Sequence, residues 1–534
     1  MPADKVSPEK IQSSARMNRL LSFATITAAG FILGQASGIV REMVVSAHYG
    51  LSAEIDAYRL SWLVPTLINN IVAGSAITVA VMPTFAKSLA EGKRSEFWYV
   101  ASTLTNLILL IAGALTILGM LLAQPIIALV GAQYPPTTQT LASVMLVIMM
   151  PVLFLSAALN MLMAMLNSVD RFGGPALIYL ALNLGIIVTV VVLAPIIGIY
   201  AVAWGFLIGV ALQVIIQLIE LRLERPEYHW RIDLHHPALR QVAIAFGPVV
   251  ALAIVSQINW LIDGVMAGAL PEGSIGALSY ANTILGAFYS VGISLSIAVF
   301  PTLSRMAATN DLENTGRTVN TSLRLLIFIL APLTFLLIAF AAPMVGVLLG
   351  RGKFDAVAVD KTSTALALYA IGLIGIAGLY VLQRAFNAMR DYMTPFIIGT
   401  AAMLAHIALN FILMPSLVHG GIALSASICN LGGVAVLTIL LARRVPRIEL
   451  SGLTLYLVRC GIVAVIATAI VAWGFAATNL GTVTVTARII GVLFAAAGGL
   501  IYLGCAFALK FPESKMLVNL AWGFVRRTKR EPVQ

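Results

Sequence analysis

Several side chains that could bind or move a charged ligand stand inside long apolar runs of this 534-residue chain, where each is costly unless paired or hydrated. Arg41 lies in "GQASGIVRE" (34–42), and Asp56 opens the next apolar run. Asn69 and Asn70 sit within "LVPTLINNIVAGSAITVAVMP" (63–83), and Asp263 within "SQINWLIDG" (256–264). A guanidinium can hold a phosphate bidentately. A buried carboxylate needs a cation or a proton. Amides either line a hydrated path or bond between helices, the latter worth about 1 kcal/mol. Plainer roles stand beside these: Arg41 as an interfacial residue reaching for water, Asp56 and Glu54 on a helix dipole, His406 as a packed polar contact. No H-E-x-x-H, nucleophile elbow or phosphate-cradling glycine loop occurs, so the chain is not expected to be an enzyme.

The elements that must position these groups follow from composition. The chain is 60% hydrophobic and 10% charged, with mean hydropathy +0.97, whereas soluble domains carry roughly 25% charged residues. The expectation is an all-α polytopic membrane protein, because backbone amides in lipid must be satisfied within their own segment. Fourteen spans are predicted near 19–45, 57–86, 98–123, 138–166, 175–196, 199–221, 241–269, 276–304, 322–348, 362–388, 395–414, 421–442, 453–476 and 486–509. They group into an N-terminal lobe (1–222, spans 1–6), a cytoplasmic linker (223–240) and a C-terminal lobe (241–445, spans 7–12). Residues 446–534 hold spans 13 and 14 and a basic tail. Of 33 Lys and Arg, only Arg41, Arg59, Arg351, Lys353, Lys361 and Arg488 fall on the side opposite the N-terminus, leaving 27. That asymmetry predicts cytoplasmic termini. The net charge of +11 is then read as positive-inside charge, with no nucleic-acid partner. Cys429, Cys460 and Cys505 show neither metal nor disulfide spacing and are expected to pack. The polar first fifteen residues do not form a cleavable signal, and the first span is the expected targeting signal.

An internal repeat is legible. "VMPTFAK" begins at Val81 and "VFPTLSR" at Val299; "LNSVDRFGGPALI" begins at Leu166 and "FNAMRDYMTPFII" at Phe386. "GQASGIVRE" lies over "SQINWLIDG", placing Gln35 on Gln257 and Arg41 on Asp263. Six spans separate the copies, an even number, so both insert in the same orientation: two parallel six-helix repeats followed by two extra helices. That is a transporter architecture with substrate held between halves. Pro83 and Pro301 are expected to end corresponding helices, and Arg41 and Asp263 to approach each other across a cavity.

"GIVREMVVSAHYGLSAEIDAY" (38–58), "LNSVDRFGGP" (166–175), "VSQINWLIDGVMA" (255–267), "VFPTLSR" (299–305), "GRGKFD" (350–355), "QRAFNAMRDYMTP" (383–395) and "GGIALSASICN" (420–430) together resemble the MurJ/MviN family of the MOP exporter superfamily. The resemblance implies two six-helix lobes around a cavity that opens alternately to each side, with a groove at spans 13 and 14 for a polyprenyl tail. The implied activity is flipping of lipid II, the undecaprenyl-linked peptidoglycan precursor, from the inner to the outer leaflet of the bacterial cytoplasmic membrane. Implied partners are that glycolipid, membrane lipids and cell-wall synthesis proteins. The cavity set is Arg41, Asp56, Asn70, Gln35, Gln257, Asp263, Asn282 and Thr283. Gln35, Asn70 and Thr283 stand where the family pattern has basic residues, so a pyrophosphate would meet fewer cations here. No cofactor is expected; coupling to sodium, protons or membrane potential stays open, and Asp263, Asn410 and Ser427 could supply oxygens to sodium. Two alternatives stay open: an exporter of another lipid-linked oligosaccharide or amphiphile, and a transport-dead scaffold for cell-wall assembly.

Overall fold

The structure, a computed structural model, describes residues 33–72, 85, 88–89, 91–169, 171, 173–233, 236, 257, 261–478, 480 and 484–514. Packing divides the chain into Met1–Gly273 and Ser274–Gln534. The helical stretch 261–267, which belongs to expected span 7, therefore packs with the first unit. All regular structure among the described residues is helical.

The first unit contains α1 (33–49), α2 (Ala53–Val72), α3 (Arg94–Leu121), α4 (Ala123–Val130), α5 (Pro136–Met149), α6 (Pro151–Ser168), α7 (Gly173–Ile197) and α8 (Tyr200–Arg222). The second contains α9 (Ser274–Ala308), α10 (Leu312–Ala339), α11 (Ala341–Leu348), α12 (Ala356–Ile371), α13 (Leu373–Ala388), α14 (Met393–Leu417), α15 (His419–Ala442), α16 (Leu450–Ala477) and α17 (Val485–Ala508).

Helix lengths reproduce the repeat. The pair α3 and α10 are each 28 residues, α4 and α11 each 8, and α7 and α14 each 25. Corresponding starts differ by 218 to 220 residues (94 and 312, 123 and 341, 173 and 393). Span 4 is interrupted between Met149 and Pro151, and span 10 at Gly372, where α12 and α13 bend by 47°. Among the described residues ten helices are long and apolar enough to cross a membrane, or eleven with that bent pair as one span. Expected spans 1 and 7 fall largely outside the described residues, as does the end of span 2 with Pro83. Pro301 does not end its helix: α9 continues to Ala308, since a proline inside a long buttressed helix removes one hydrogen bond without obliging termination.

Local signals fix the helix ends. Pro136 and Pro151 occupy first-turn positions, where the missing N–H is not needed. Asp311, Asp355 and Thr484 accept the N–H of Asn314, Ala358 and Ala487 as N-caps. Small residues allow close helix approach where lipid offers no hydrophobic drive. A Cβ on Gly185 of α7 would stand 2.5 Å from Gly209 Cα of α8. On the second unit, one on Gly372 would stand 2.7 Å from Ser427 Cα. Each unit has its own aromatic core. Phe85, Phe97 and Trp98 stack edge-on at 5.0 and 4.7 Å in the first. Phe328, Tyr502, Phe511 and Tyr456 form a chain of ring contacts in the second.

Candidate functional site

The most charged buried place in the first unit centres on Glu42, near the middle of α1. Glu42 is 3% exposed and Arg59, on α2, is 7% exposed. Arg59 Nη2 lies 2.6 Å from Glu42 Oε2, and Arg41 Nη2 lies 2.5 Å from Oε1. Both carboxylate oxygens are thus held by separate guanidinium groups. Arg41 Nη1 also donates to Asn183 Oδ1 of α7 at 3.0 Å. Asn183 Nδ2 in turn donates to Gly34 O at 3.1 Å and Ser37 Oγ at 2.8 Å, tying α7 to α1. Two cations share one anion, so the cluster carries a net positive charge and Glu42 keeps a partner if either arginine leaves. Buried ions stay buried only with such multiple partners.

Arg41 therefore takes Glu42 as its carboxylate partner, not Asp263. The physical reason is local: Arg59 fixes the Glu42 carboxylate at hydrogen-bonding distance from its neighbour. Asp263 is half-buried on the helical stretch 261–267, beside Gly264, whose carbonyl accepts Tyr134 Oη–H at 3.3 Å. Two other expected residues do come together: Asn70 Nδ2 donates to Gln257 Oε1 at 3.0 Å. The neighbouring Asn69 Oδ1 is buried with no hydrogen-bond donor among the described residues. Gln35 is exposed on α1. Asp56 is buried in the first turn of α2 and accepts Gly273 N–H at 2.6 Å. Gly273 has φ +83, a left-handed turn that suits glycine. Asp56 thereby joins the helix start to the loop that closes the unit. In the second unit, Asn282 and Thr283 are half-buried on α9, and Thr283 Oγ1 donates back to Ser279 O at 3.0 Å.

The second unit has a buried polar cluster without formal charge pairs. Ser425 Oγ of α15 bonds Asn410 Oδ1 and lies 3.1 Å from His406 Nδ1, both on α14. Asn410 is fully buried and His406 nearly so. Ser427 is also buried, but its Oγ turns to Leu368 O at 2.7 Å and Tyr369 O at 3.2 Å. Asn410 and Ser427 thus bond to different partners. Among the described residues no group of three or more His, Cys, Asp or Glu is arranged to hold a metal ion.

Glu42, Arg59, Asn183 and Ser425 were missed by sequence reasoning. The one available signal was Glu42 itself, a second ionisable residue beside Arg41 in an apolar run.

The model of the family described as "Lipid II flippase MurJ" matches residues 45–493. Lipid II flippase MurJ of Burkholderia cenocepacia is 26% identical over 423 residues, covering 76% of this chain and 80% of that one. The probable lipid II flippase MurJ of Haemophilus influenzae is 28% identical over 413 residues, covering 72% and 79%. A solved lipid II flippase MurJ in an inward closed conformation superposes with TM-score 0.75 at 24% identity, covering 91% of this chain and 99% of that one. An inward-facing multidrug resistance MATE family transporter of the MOP superfamily has the same fold, with TM-score 0.67 at 14% identity over 78% and 95%. With a multi-pass helical fold, paired repeats and a family match across most of its length, this chain belongs to the lipid II flippase MurJ family.

Proposed function

We propose that this chain is a flippase that carries lipid II from the inner to the outer leaflet of a bacterial cytoplasmic membrane, with both termini on the cytoplasmic side. The match to the lipid II flippase family across residues 45–493 carries this reading. The 27 Lys and Arg on that side, against six on the other, support the orientation. The repeat supports alternating access between two lobes, 1–222 and 241–445, joined by the 223–240 linker.

The Glu42 cluster suggests how a neutral-lined site can still capture a pyrophosphate. Arg41 is the more exposed guanidinium, with its side chain at 22% against 8% for Arg59. A phosphate entering beside Arg41 competes with Glu42 for it. Arg59 keeps the carboxylate paired while Arg41 is lent to the ligand, so capture strands no buried charge. Releasing the phosphate returns Arg41 to Glu42. Gln35, Asn70 and Gln257 of the same unit offer amide groups to the sugar and peptide portions, and Asp56 positions the α2 entrance.

Complementation of a lipid II flippase depletion tests this. Wild type restores growth; Arg41→Ala and Glu42→Ala, expressed at the same level, do not. Absence of rescue by well-expressed wild type would contradict it. A second reading, export of another lipid-linked oligosaccharide, is favoured by the Asn70–Gln257 amide pair, which fills a place where the family pattern has a cation. Under that reading wild type fails to rescue this depletion.

A further inference from the structure

Within the second unit a cavity of about 500 Å³ opens between α10, α16 and the end of α17. Arg324, Arg459 and Lys510 line it with positive charge; Ile462, Val463 and Leu509 line it with apolar surface. The floor is rigid. Tyr456, Phe511, Phe328 and Tyr502 belong to the unit's aromatic core, and Tyr502 Oη–H is anchored to Phe328 O at 3.1 Å.

The charges do not balance within the site. Glu513 is buried and lies 3.2 Å from Arg324 Nε, and it also accepts the Tyr456 hydroxyl. Arg324 further stacks on Tyr456, with Cζ 4.4 Å from the ring centroid. Among the described residues neither Arg459 nor Lys510 has a carboxylate partner. Three cations against one carboxylate leave two positive charges around the cavity. Lys510 also takes a left-handed backbone, φ 55, just past α17, where glycine is the favoured residue.

Depth places the site at a membrane–water boundary. Arg459 precedes the end of α16 at Ala477 by 18 residues, and Lys510 follows the 24-residue α17. At 1.5 Å per residue both stand about one hydrocarbon thickness, ~30 Å, from the far ends of their helices. Ile462 and Leu509 are 54% and 62% exposed beside them. In a lipid-embedded helix such surface faces acyl chains. The pocket therefore presents cations at headgroup level and an apolar wall running into the hydrocarbon.

We propose that this pocket is a binding site for the phosphate-bearing headgroup of an anionic membrane lipid. Arg459 and Lys510 take the phosphate, and an acyl chain lies along Ile462 and Leu509. Arg324, already engaged by Glu513 and Tyr456, shapes the inner wall. The site is independent of which amphiphile the chain transports.

The test is native mass spectrometry of the full chain in detergent, titrated with palmitoyl-oleoyl phosphatidylglycerol or phosphatidylcholine. Wild type prefers phosphatidylglycerol. The Arg459→Ala/Lys510→Ala variant loses about tenfold in phosphatidylglycerol affinity, as expected for losing charge-assisted contacts, while phosphatidylcholine binding is unchanged. Arg459→Lys, which keeps the charge and the fold, retains the preference. Phosphatidylglycerol binding to the double variant within about twofold of wild type would overturn the proposal. An inorganic phosphate arm separates the two sources of phosphate. Retention of phosphatidylglycerol against excess phosphate supports a lipid site, and displacement by phosphate would overturn the lipid assignment.

Discussion

The two repeat units carry the same ion-pair device with the charges reversed. In the first, Arg171, in the loop before α7, donates to Glu224 just past α8 at 2.8 Å. In the second, Asp391, before α14, pairs with Arg444 just past α15. Both residues of each pair are 220 positions from their counterparts (171 and 391, 224 and 444). A second link joins similar regions with the sign again reversed, though through Arg447, three positions beyond the counterpart of Glu224. Arg94 at the start of α3 reaches Glu224 at 3.2 Å, while Glu313 at the start of α10 is reached by Arg447 at 2.9 Å. The geometry is retained and the sign is not. What the repeat preserves is therefore a tie between loop and helix end, and either polarity serves it. The buried clusters differ in a deeper way. The first unit buries a carboxylate between two guanidinium groups, and the second buries a hydrogen-bonded Ser–His–Asn set with no carboxylate in it. Only the first can bind an anion by exchanging partners.

That contrast can be broken most severely at Glu42. Glu42→Ala leaves two guanidinium groups without their shared anion, and breaking a buried pair in this way costs about 3–5 kcal/mol. The expected outcome is a large fall in the detergent-solubilised melting temperature. Arg41→Ala should cost less than Arg59→Ala, because Arg41 is the more exposed partner. Equal, small effects from all three would remove the distinction between the units.

The Ser425 cluster should be less costly to disturb. Ser425→Ala removes the hydroxyl donor to Asn410 Oδ1, a net loss of about 0.5–1.5 kcal/mol. Thermal unfolding of this variant beside Glu42→Ala gives the ranking directly, with the smaller shift expected for Ser425→Ala.

Much of this organisation is legible in the amino-acid order. Apolar run length predicts most helices to within a few residues, as at α8, expected over 199–221 and found at Tyr200–Arg222. The reversed polarity is even visible in the strings "LNSVDRFGGP" and "FNAMRDYMTP", where Asp170–Arg171 faces Arg390–Asp391. Their partners Glu224 and Arg444 are not legible, since they lie 53 residues further on and meet only when the intervening helices pack. The same applies to Glu42 and Arg59, which sit on successive helices. The interruption at Gly372 was hidden because an unbroken apolar run suits a bent span as well as a straight one. Arg41 and Asp263, matched by the repeat, did not pair, because a repeat aligns positions and says nothing about side-chain partners.

The loop pairs should show the smallest effects. Arg171 and Arg444 are each about half exposed, at 45% and 51%, and such pairs are worth roughly 0.2–1 kcal/mol. Swapping both residues, Arg171→Glu with Glu224→Arg, should restore the share of the loss that belongs to this pair, because the second unit already uses that polarity, while the Arg94–Glu224 contact stays lost. Non-restoration would show that polarity matters. Acid titration sharpens the point. Hydrogen bonding from Arg171, together with the charges of Arg171 and Arg94, outweighs partial burial and holds the Glu224 carboxyl below its usual range. At Asp391 burial pushes upward, but hydrogen bonds from Thr394 and Arg444 outweigh it, so this carboxyl is also lowered. Carboxylates lowered on folding stabilise the fold fully above their unfolded values, about pH 4, and lose that contribution as pH falls through the folded values. Melting curves below pH 4 should therefore converge for wild type, Glu224→Gln and Asp391→Asn, while a gap that persists at the lowest pH would contradict the ion-pair account.

The central claim, a lipid II flippase whose Arg41 is lent from Glu42 to the substrate, is tested most directly by transbilayer movement of lipid II in vesicles reconstituted with the purified full chain. Wild type should move lipid II well above protein-free vesicles. Arg41→Lys, which retains charge without the bidentate fork, should be slowed, and Arg41→Ala should fall to the protein-free rate. Movement by wild type no faster than protein-free vesicles, or full activity in Arg41→Ala, would contradict it.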